Sequence, residues 1–162
     1  MQTSYSVKQA ASFAGLIADT YQGKDIVTKV NEDGVIYIGR LVSFDDGDLT
    51  AKHPAAAADI TGKAIGVVAH SHNNQSKNDG LDPNYEIKKP FDVMKKGRIW
   101  VKSEDAVTAY NSTVNVRYVA GSGVVGGFLG AAVSMETAVL PNARWITSCG
   151  AGELAVLEVN LV

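Results

Sequence analysis

The feature of this 162-residue sequence that most restricts its fold is a succession of short apolar runs, rich in β-branched residues and separated by glycine-containing turns. Runs of this length and spacing are typical of the strands of a barrel or a sandwich. A parallel sheet would need long helical patterns between the strands, and we find none. We therefore predict an all-β protein, a small β-barrel or β-sandwich. The predicted strands are residues 25–30, 35–42, 63–70, 98–102, 113–119, 143–148 and 154–162.

The first 20 residues precede this pattern and are mostly small or polar. Residues 7–19 place several apolar side chains on one face of a helix, and Ser6 and Gln9 have the spacing of a capping box. The same segment is only weakly amphipathic, so an extended arm explains it equally well. We predict an N-terminal arm at residues 1–20, extended or in a short helix, followed by a single β domain at residues 21–162.

Turn signals divide the strands. Asp33-Gly34 predicts a hairpin between the first two strands, and Lys96-Gly97 predicts a turn before the fourth. Two longer segments are predicted to be loops, an alanine-rich one at residues 51–62 and a polar one at residues 71–90. Loops longer than about 15 residues are uncommon in compact domains and often carry function or are disordered.

Charge and cysteine content argue against several classes of function. The formal net charge is −2 and no basic run is present, so we expect no nucleic-acid partner. No run of about 18 apolar residues exists, so we expect no membrane partner. Cys149 is the only cysteine, which excludes an internal disulfide and fits synthesis in a reducing cytoplasm. The N-terminus also lacks the pattern of a signal peptide.

The stretch "VRYVAGSGVVGG" contains G-x-G-x-x-G at Gly121, Gly123 and Gly126. A dinucleotide site needs a helix after this loop and an acidic residue about 20 positions further on. The following residues contain Gly130 and Pro141 and have no helical pattern. We therefore interpret the glycines as a sharply bent connection between two strands and predict no bound cofactor.

Two histidines, His70 and His72, would share one face of a strand and could together contact a metal. His53 is the other histidine that could supply a third ligand. Two ligands do not make a site, so we predict no metal. A small β-barrel enzyme or metal-binding module that uses these histidines remains an alternative.

Catalytic motifs are missing from the sequence. It has no G-x-S-x-G elbow, and nothing near Cys149 would lower the pKa of its thiol, so we predict no catalytic residues. Trp100 and Trp145 lie within strand patterns and are more often core or interface anchors than ligand platforms. A carbohydrate-binding β-sandwich that presents one of these tryptophans is the second alternative.

Five segments, taken in order, resemble the structural cement, or capsid decoration, proteins of tailed bacteriophages. The resemblance extends from about residue 15 to the end and contains no catalytic motif. The segments are "DIVTKVNEDGVIYIGRLVSF", "DITGKAIGVVAHSH", "MKKGRIWVKSEDAV", "VNVRYVAGSGVVGGFLG" and "ARWITSCGAGELAVLEVNLV".

This resemblance implies a non-enzymatic structural protein on the outer surface of the virion capsid, made in the host cytoplasm. Its partner would be the major capsid protein, whose neighbouring subunits it would bridge as a homo-oligomer, with a trimer favoured over a dimer. The polar insert at residues 71–85 departs from the family pattern. We expect the contacts with the capsid or between protomers to involve Tyr5, Phe13, Gly121, Gly123 and Gly126.

Overall fold

The structure is a computed structural model that describes residues 13–18, 24–32, 34–45, 47–71 and 83–161. Tyr5, His72 and most of the polar insert lie outside the described residues. The elements in chain order are β1 (Asp25–Asn31), β2 (Ile36–Tyr37), β3 (Leu41–Phe44), β4 (Thr50–Ala51), α1 (Ala57–Thr61), β5 (Ala64–Ala69), β6 (Asn84–Tyr85), β7 (Pro90–Lys102), β8 (Asn115–Arg117), β9 (Phe128–Leu129), β10 (Thr137–Val139), β11 (Ala143–Trp145) and β12 (Leu154–Asn160).

The strand β7, 13 residues long, is the centre of the main sheet. Its first half pairs antiparallel with β1 and β5, and its second half pairs antiparallel with β12. The strands β4, β11 and β3 extend the sheet from β1, β12 and β5 respectively. The resulting seven-stranded sheet is barrel-like and nearly closed, which confirms the predicted all-β class.

Two smaller sheets complete the fold. A three-stranded antiparallel sheet has the order β10-β8-β9, and a two-stranded antiparallel sheet pairs β2 with β6. Two hydrophobic clusters form the core. The neighbouring residues Val67 and Val68 of β5 belong to different clusters, so the clusters lie on opposite faces of the main sheet.

The predicted hairpin at Asp33-Gly34 is wrong. The strand β1 pairs with β4 and β7, whereas β2 pairs with β6, about fifty residues further along the chain. Gly34 does have a left-handed φ of 69°, as a turn requires. The turn signal was therefore genuine, but pairing along the whole sheet decided which strands meet.

The predicted turn at Lys96-Gly97 is also wrong, because β7 continues through it. Gly97 has a φ of 135° and leaves no room for a side chain, since a Cβ atom there would lie 3.1 Å from the sulfur of Met94. The register with β1 shifts just before it, between Met94 and Lys96. Met94 and Ile99, five residues apart, consequently reach the same hydrophobic cluster.

A short helix, α1, lies in the alanine-rich segment that was predicted to be a loop. The Asp59 carboxylate accepts hydrogen bonds from the amides of Ala55 and Ala56 at 2.9 and 3.0 Å, which satisfies donors at the start of the helix. The single buried side chain, Ile60, holds α1 against the core. One anchoring residue is too little to produce a periodic pattern.

Residues 13–18 lie against the main sheet. Four backbone hydrogen bonds hold them: Gly15 donates to Trp100 and accepts from His70, Leu16 accepts from Trp100, and Ala18 donates to Arg98. These residues form a turn and an isolated bridge between Ile17 and Ile99, and they are not helical. The domain boundary at residue 20 stays a prediction.

Within the described ranges, no helix is long and apolar enough to cross a membrane.

Candidate functional site

The glycine-rich connection joins β8 to β9 and is here named the glycine loop, residues 118–127. It turns back sharply, because the amide of Arg117 donates to the carbonyl of Gly127 at 3.0 Å and its carbonyl accepts from the amide of Gly126 at 2.8 Å. The next elements, β9 and β10, are strands. The helix that a dinucleotide site would place here is therefore absent from the described residues 128–161.

The side chain of Arg117 points under the glycine loop and is only 3% exposed. Its Nε donates to the Glu104 carboxylate at 2.8 Å, and its Nη1 pairs with the Glu136 carboxylate. Burial by itself lowers the pKa of Arg117, but the two carboxylates outweigh burial and raise it. The guanidinium is thus a fixed charge that joins three separate segments of the chain.

The two carboxylates also hold the backbone of the glycine loop. Glu104 accepts a hydrogen bond from the amide of Val124 at 2.9 Å, and Glu136 accepts from the amide and the hydroxyl of Ser122 at 3.5 and 3.3 Å. The neighbouring Asp105 accepts from the amides of Gly130 and Ala131. Each acidic side chain here has a structural partner, which argues against an acid pair for catalysis.

Contacts within this chain explain the glycines. A Cβ atom on Gly121 would lie 2.3 Å from the Glu136 carboxylate, and one on Gly123 would lie 2.2 Å from that of Glu104. Gly126 has a φ of 78°, and its Cβ atom would lie 2.7 Å from the carbonyl oxygen of Leu41. The glycines let the loop close over the ion cluster.

The side chain of His53 supports the far side of the loop. Its Nδ1 donates to the Leu41 carbonyl at 2.8 Å, and its Nε2 accepts from the Tyr37 amide at 3.3 Å. Burial lowers the pKa of His53 to about 4, and the charge of Arg40 acts in the same direction. The ring is therefore neutral at pH 7, with both nitrogens occupied, and cannot act as a third metal ligand.

A surface cavity of about 280 Å³ separates the glycine loop from residues 13–18. Ala14, Gly39, Lys102 and Gly123 are among the residues that line it. The structure therefore brings the neighbour of Phe13 and one of the predicted loop glycines to the same cavity. Their role in an interface stays a prediction.

Exposed apolar side chains lie around this region. On the loop and the turn beside it, Val119, Val124 and Met135 are 43%, 40% and 81% exposed. Phe13 is 43% exposed, although its ring packs edge-on against His70 with centroids 4.7 Å apart. Exposed apolar side chains also occur elsewhere on the chain, for example Leu49 and Tyr110, so exposure alone does not single out this region.

The other sequence candidates occupy structural positions. Trp145 is completely buried and cannot present a face to a sugar, whereas Trp100 is half-buried. Burial raises the pKa of the Cys149 thiol. The described residues contain no group of three side chains suited to a metal.

Sequence reasoning missed the ion cluster. Arg117 alternates with Val116 and Tyr118 along an apolar strand, and an arginine in such a place needs a buried partner. That was the available signal. This signal could not identify Glu104 or Glu136 as the partners, because the acidic residues that come to lie beside Arg117 depend on how β8, β9 and β10 pair.

Comparison with known proteins gives a family match over nearly the whole chain. Residues 1–160 match the family model described as "Structural cement protein (E217 gp24/Pam3 gp6)". The comparison with curated proteins found no match.

The solved structures that are similar include two from bacteriophages. A chain of "The capsid of Myoviridae Phage XM1" has a TM-score of 0.71 at 14% identity, over 100% of this chain and 99% of that one. The head fiber gp8.5 N base of bacteriophage phi29 has a TM-score of 0.43 at 11% identity, over 84% of this chain and 93% of that one. At 14% identity, the similarity to the XM1 capsid chain shows a shared fold.

Proposed function

This chain belongs to the family of phage structural cement proteins, which decorate the capsid, and on that premise we propose that it binds the outer surface of the head and bridges neighbouring major capsid subunits. The observation that carries the proposal is the family match over residues 1–160. The protein is then a structural component of the virion. We further propose that it has no enzymatic activity and needs no cofactor.

The exposed apolar side chains support a contact at the glycine loop. Val124 and Met135 are held on segments that Glu104 and Glu136 fix to the buried Arg117. A loop that is already ordered loses little conformational entropy when it binds. In our proposal the ion cluster therefore orders a surface that docks on the capsid.

Repetition and reach would make the attachment strong. A homo-oligomer, with a trimer favoured over a dimer, places several copies of the same surface on a lattice of matching symmetry. Residues 13–18 are held on the sheet by backbone hydrogen bonds, so the part of the arm that could reach a neighbouring subunit is residues 1–12, which would span roughly 40 Å if extended. Tyr5 and Phe13, the aromatic residues of the arm, are the proposed anchors.

Titration of purified protein onto mature heads that lack it tests this function. We expect saturable binding, and imaging should place the protein on the outer surface between capsid subunits. A double variant, Val124→Asp with Met135→Asp, should bind at least about tenfold more weakly, a loss of about 1.4 kcal/mol. Ile87→Asp is the control, because Ile87 is 48% exposed in the turn before β7.

Two results would contradict the proposal. If the wild-type protein does not decorate heads, the proposed function is wrong. Equal binding by the double variant and the Ile87→Asp control would move the contact away from the glycine loop. Circular dichroism of each variant shows whether the fold is retained.

A further inference from the structure

Alternation along β7 and β12 defines a second surface, on the side of these strands away from the inner cluster. Gly97, Ile99 and Val101 of β7 are buried, and so are Ala155, Leu157 and Val159 of β12. The residues between them point the other way. We name this surface the β7–β12 outer face; it comprises Lys96, Arg98, Trp100, Lys102, Arg144, Leu154, Glu158 and Asn160.

Basic side chains predominate on the β7–β12 outer face. Its lysines and arginines number four, against the carboxylate of Glu158 and that of Asp25, which lies opposite Lys96 on the neighbouring strand β1. Glu158 lies directly opposite Arg98 on one side and Arg144 on the other, and accepts from the Nε of each at 2.7 Å. Burial alone would raise the pKa of Glu158, but the arginines lower it. The face is thus positive in a chain whose formal net charge is −2.

An apolar strip lies beside these charges. It consists of the partly exposed side chains of Trp100 and Leu154; Val156, which lies opposite Trp100, is buried and forms no part of the surface. Leu16, whose carbonyl accepts from the Trp100 amide, borders the strip. Aromatic residues and arginine are the residue types enriched where proteins bind one another.

We propose that the β7–β12 outer face docks on an acidic protein surface of the capsid shell, as a second contact beside the glycine loop; this inference rests on the proposed function. Charge complementarity selects the partner, because a positive face attracts a negative surface and so speeds the encounter between the two proteins. A protein fits better than nucleic acid. Glu158 sits among the cations, where it would repel phosphates, and the apolar strip has no counterpart on a phosphate backbone.

Charge reversal tests the proposal. The variant Lys96→Glu/Lys102→Glu inverts the face, whereas the control Lys88→Glu/Lys89→Glu makes the same change of net charge at exposed residues just before β7. At about 50 mM salt we expect the first to bind heads at least about tenfold more weakly than wild type, and the control to stay within about twofold. The difference should shrink at about 0.5 M salt, where the Debye length is only a few ångströms.

The outcomes separate this inference from the proposed function. Equal binding by the two charge variants, with wild type decorating heads, would overturn the docking face and leave the function intact. Wild type that binds no heads would overturn both. If wild type binds a 20-base-pair DNA duplex at micromolar concentration and the Lys96/Lys102 variant does not, the partner is nucleic acid and the protein assignment is wrong. Unchanged melting temperatures should show that both variants are folded.

Discussion

Gly15 and Gly39 lie back to back: a Cβ atom added to Gly39 would be 2.9 Å from the amide nitrogen of Gly15. Both residues have left-handed φ angles, 84° and 77°. A Cβ atom on Gly15 would be 2.1 Å from a methyl carbon of Ile38, which is buried. The segment at residues 13–18 thus packs backbone to backbone against the turn between β2 and β3, where no side chain fits.

The first prediction follows from this contact. Gly15→Ala and Gly39→Ala should each lower the free energy of unfolding by more than about 2 kcal/mol, because each adds a clash to a backbone conformation that costs an L-residue about 1–2 kcal/mol. Gly34→Ala is the control, since Gly34 has the same sign of φ and no atom within 4 Å of its Cβ position. Urea denaturation measures all three. A loss at Gly15 no larger than at Gly34 would show that the segment moves away freely.

The second prediction separates the two parts of the N-terminal segment. Deleting residues 1–12 should leave stability within about 1 kcal/mol of wild type, whereas deleting residues 1–20 also removes four backbone hydrogen bonds, at roughly 0.5–1.5 kcal/mol each. We expect both truncated proteins to stay soluble and β-rich with a cooperative melt. Both should bind heads at least about tenfold more weakly. Unchanged binding would refute the arm as a capsid anchor.

The third prediction concerns the ion cluster. Arg117→Met should cost about 2–4 kcal/mol of stability, because it leaves two carboxylates, 18% and 27% exposed, without their cation. Arg144→Met removes a cation that is 45% exposed and should cost less than about 1 kcal/mol. Proteolysis should also cut the glycine loop faster in the Arg117 variant. Similar stability losses in the two variants would show that burial of Arg117 contributes nothing.

The fourth prediction is a pH dependence from His53. Its pKa is lowered from 6.5 to about 4 in the folded protein, so the unfolded chain takes up the proton first as the pH falls. The neutral His53 ring therefore contributes about 3 kcal/mol to the free energy of unfolding above pH 6.5. This contribution is lost as the pH falls from 6.5 to 4. Between pH 7 and 4.5, wild type should lose about 2–3 kcal/mol more than His53→Gln. Chemical denaturation measures both proteins, and equal losses of unfolding free energy in wild type and His53→Gln over this pH range would contradict the prediction.

The fifth prediction concerns assembly. We expect the purified protein to be a homo-oligomer, a trimer in preference to a dimer, because decoration proteins at symmetric lattice positions tend to share the local symmetry. Multi-angle light scattering at high micromolar concentration measures the mass directly. A monomer at that concentration would contradict the prediction for the free protein, and assembly would then have to occur on the capsid.

Local pattern was enough to identify most strands. The runs that became β1, β5 and β12 were predicted to within two residues at each end. An alternating or continuous run of β-branched residues favours a strand wherever its partners come from. Which strands pair with one another could not be predicted in the same way. The strand β2 has only two residues, and its partner β6 lies far away in the sequence.

The candidate site shows the same division. The glycine spacing predicted a sharply bent connection, and Gly126 has the left-handed φ that favours glycine, whereas Gly121 and Gly123 are glycines because a side chain would not fit. That reason was not apparent from the sequence, because the carboxylates that occupy the space beside them come from Glu104 and Glu136, each more than ten residues away. The exposure of Met135 could likewise not be predicted from the sequence, whereas the strand position of Trp145 favoured a core or interface anchor, and Trp145 is buried.

The sequence by itself determined that the chain is all-β and where most of its strands lie, because these properties depend on the conformations open to each residue and its neighbours. Only the tertiary structure decided that Arg117 is the buried centre of the glycine loop, and that Gly15 packs against Gly39. Both contacts join segments distant along the chain. Their cost in conformational entropy is recovered only when the whole sheet buries its core, so no local stretch of sequence encodes them.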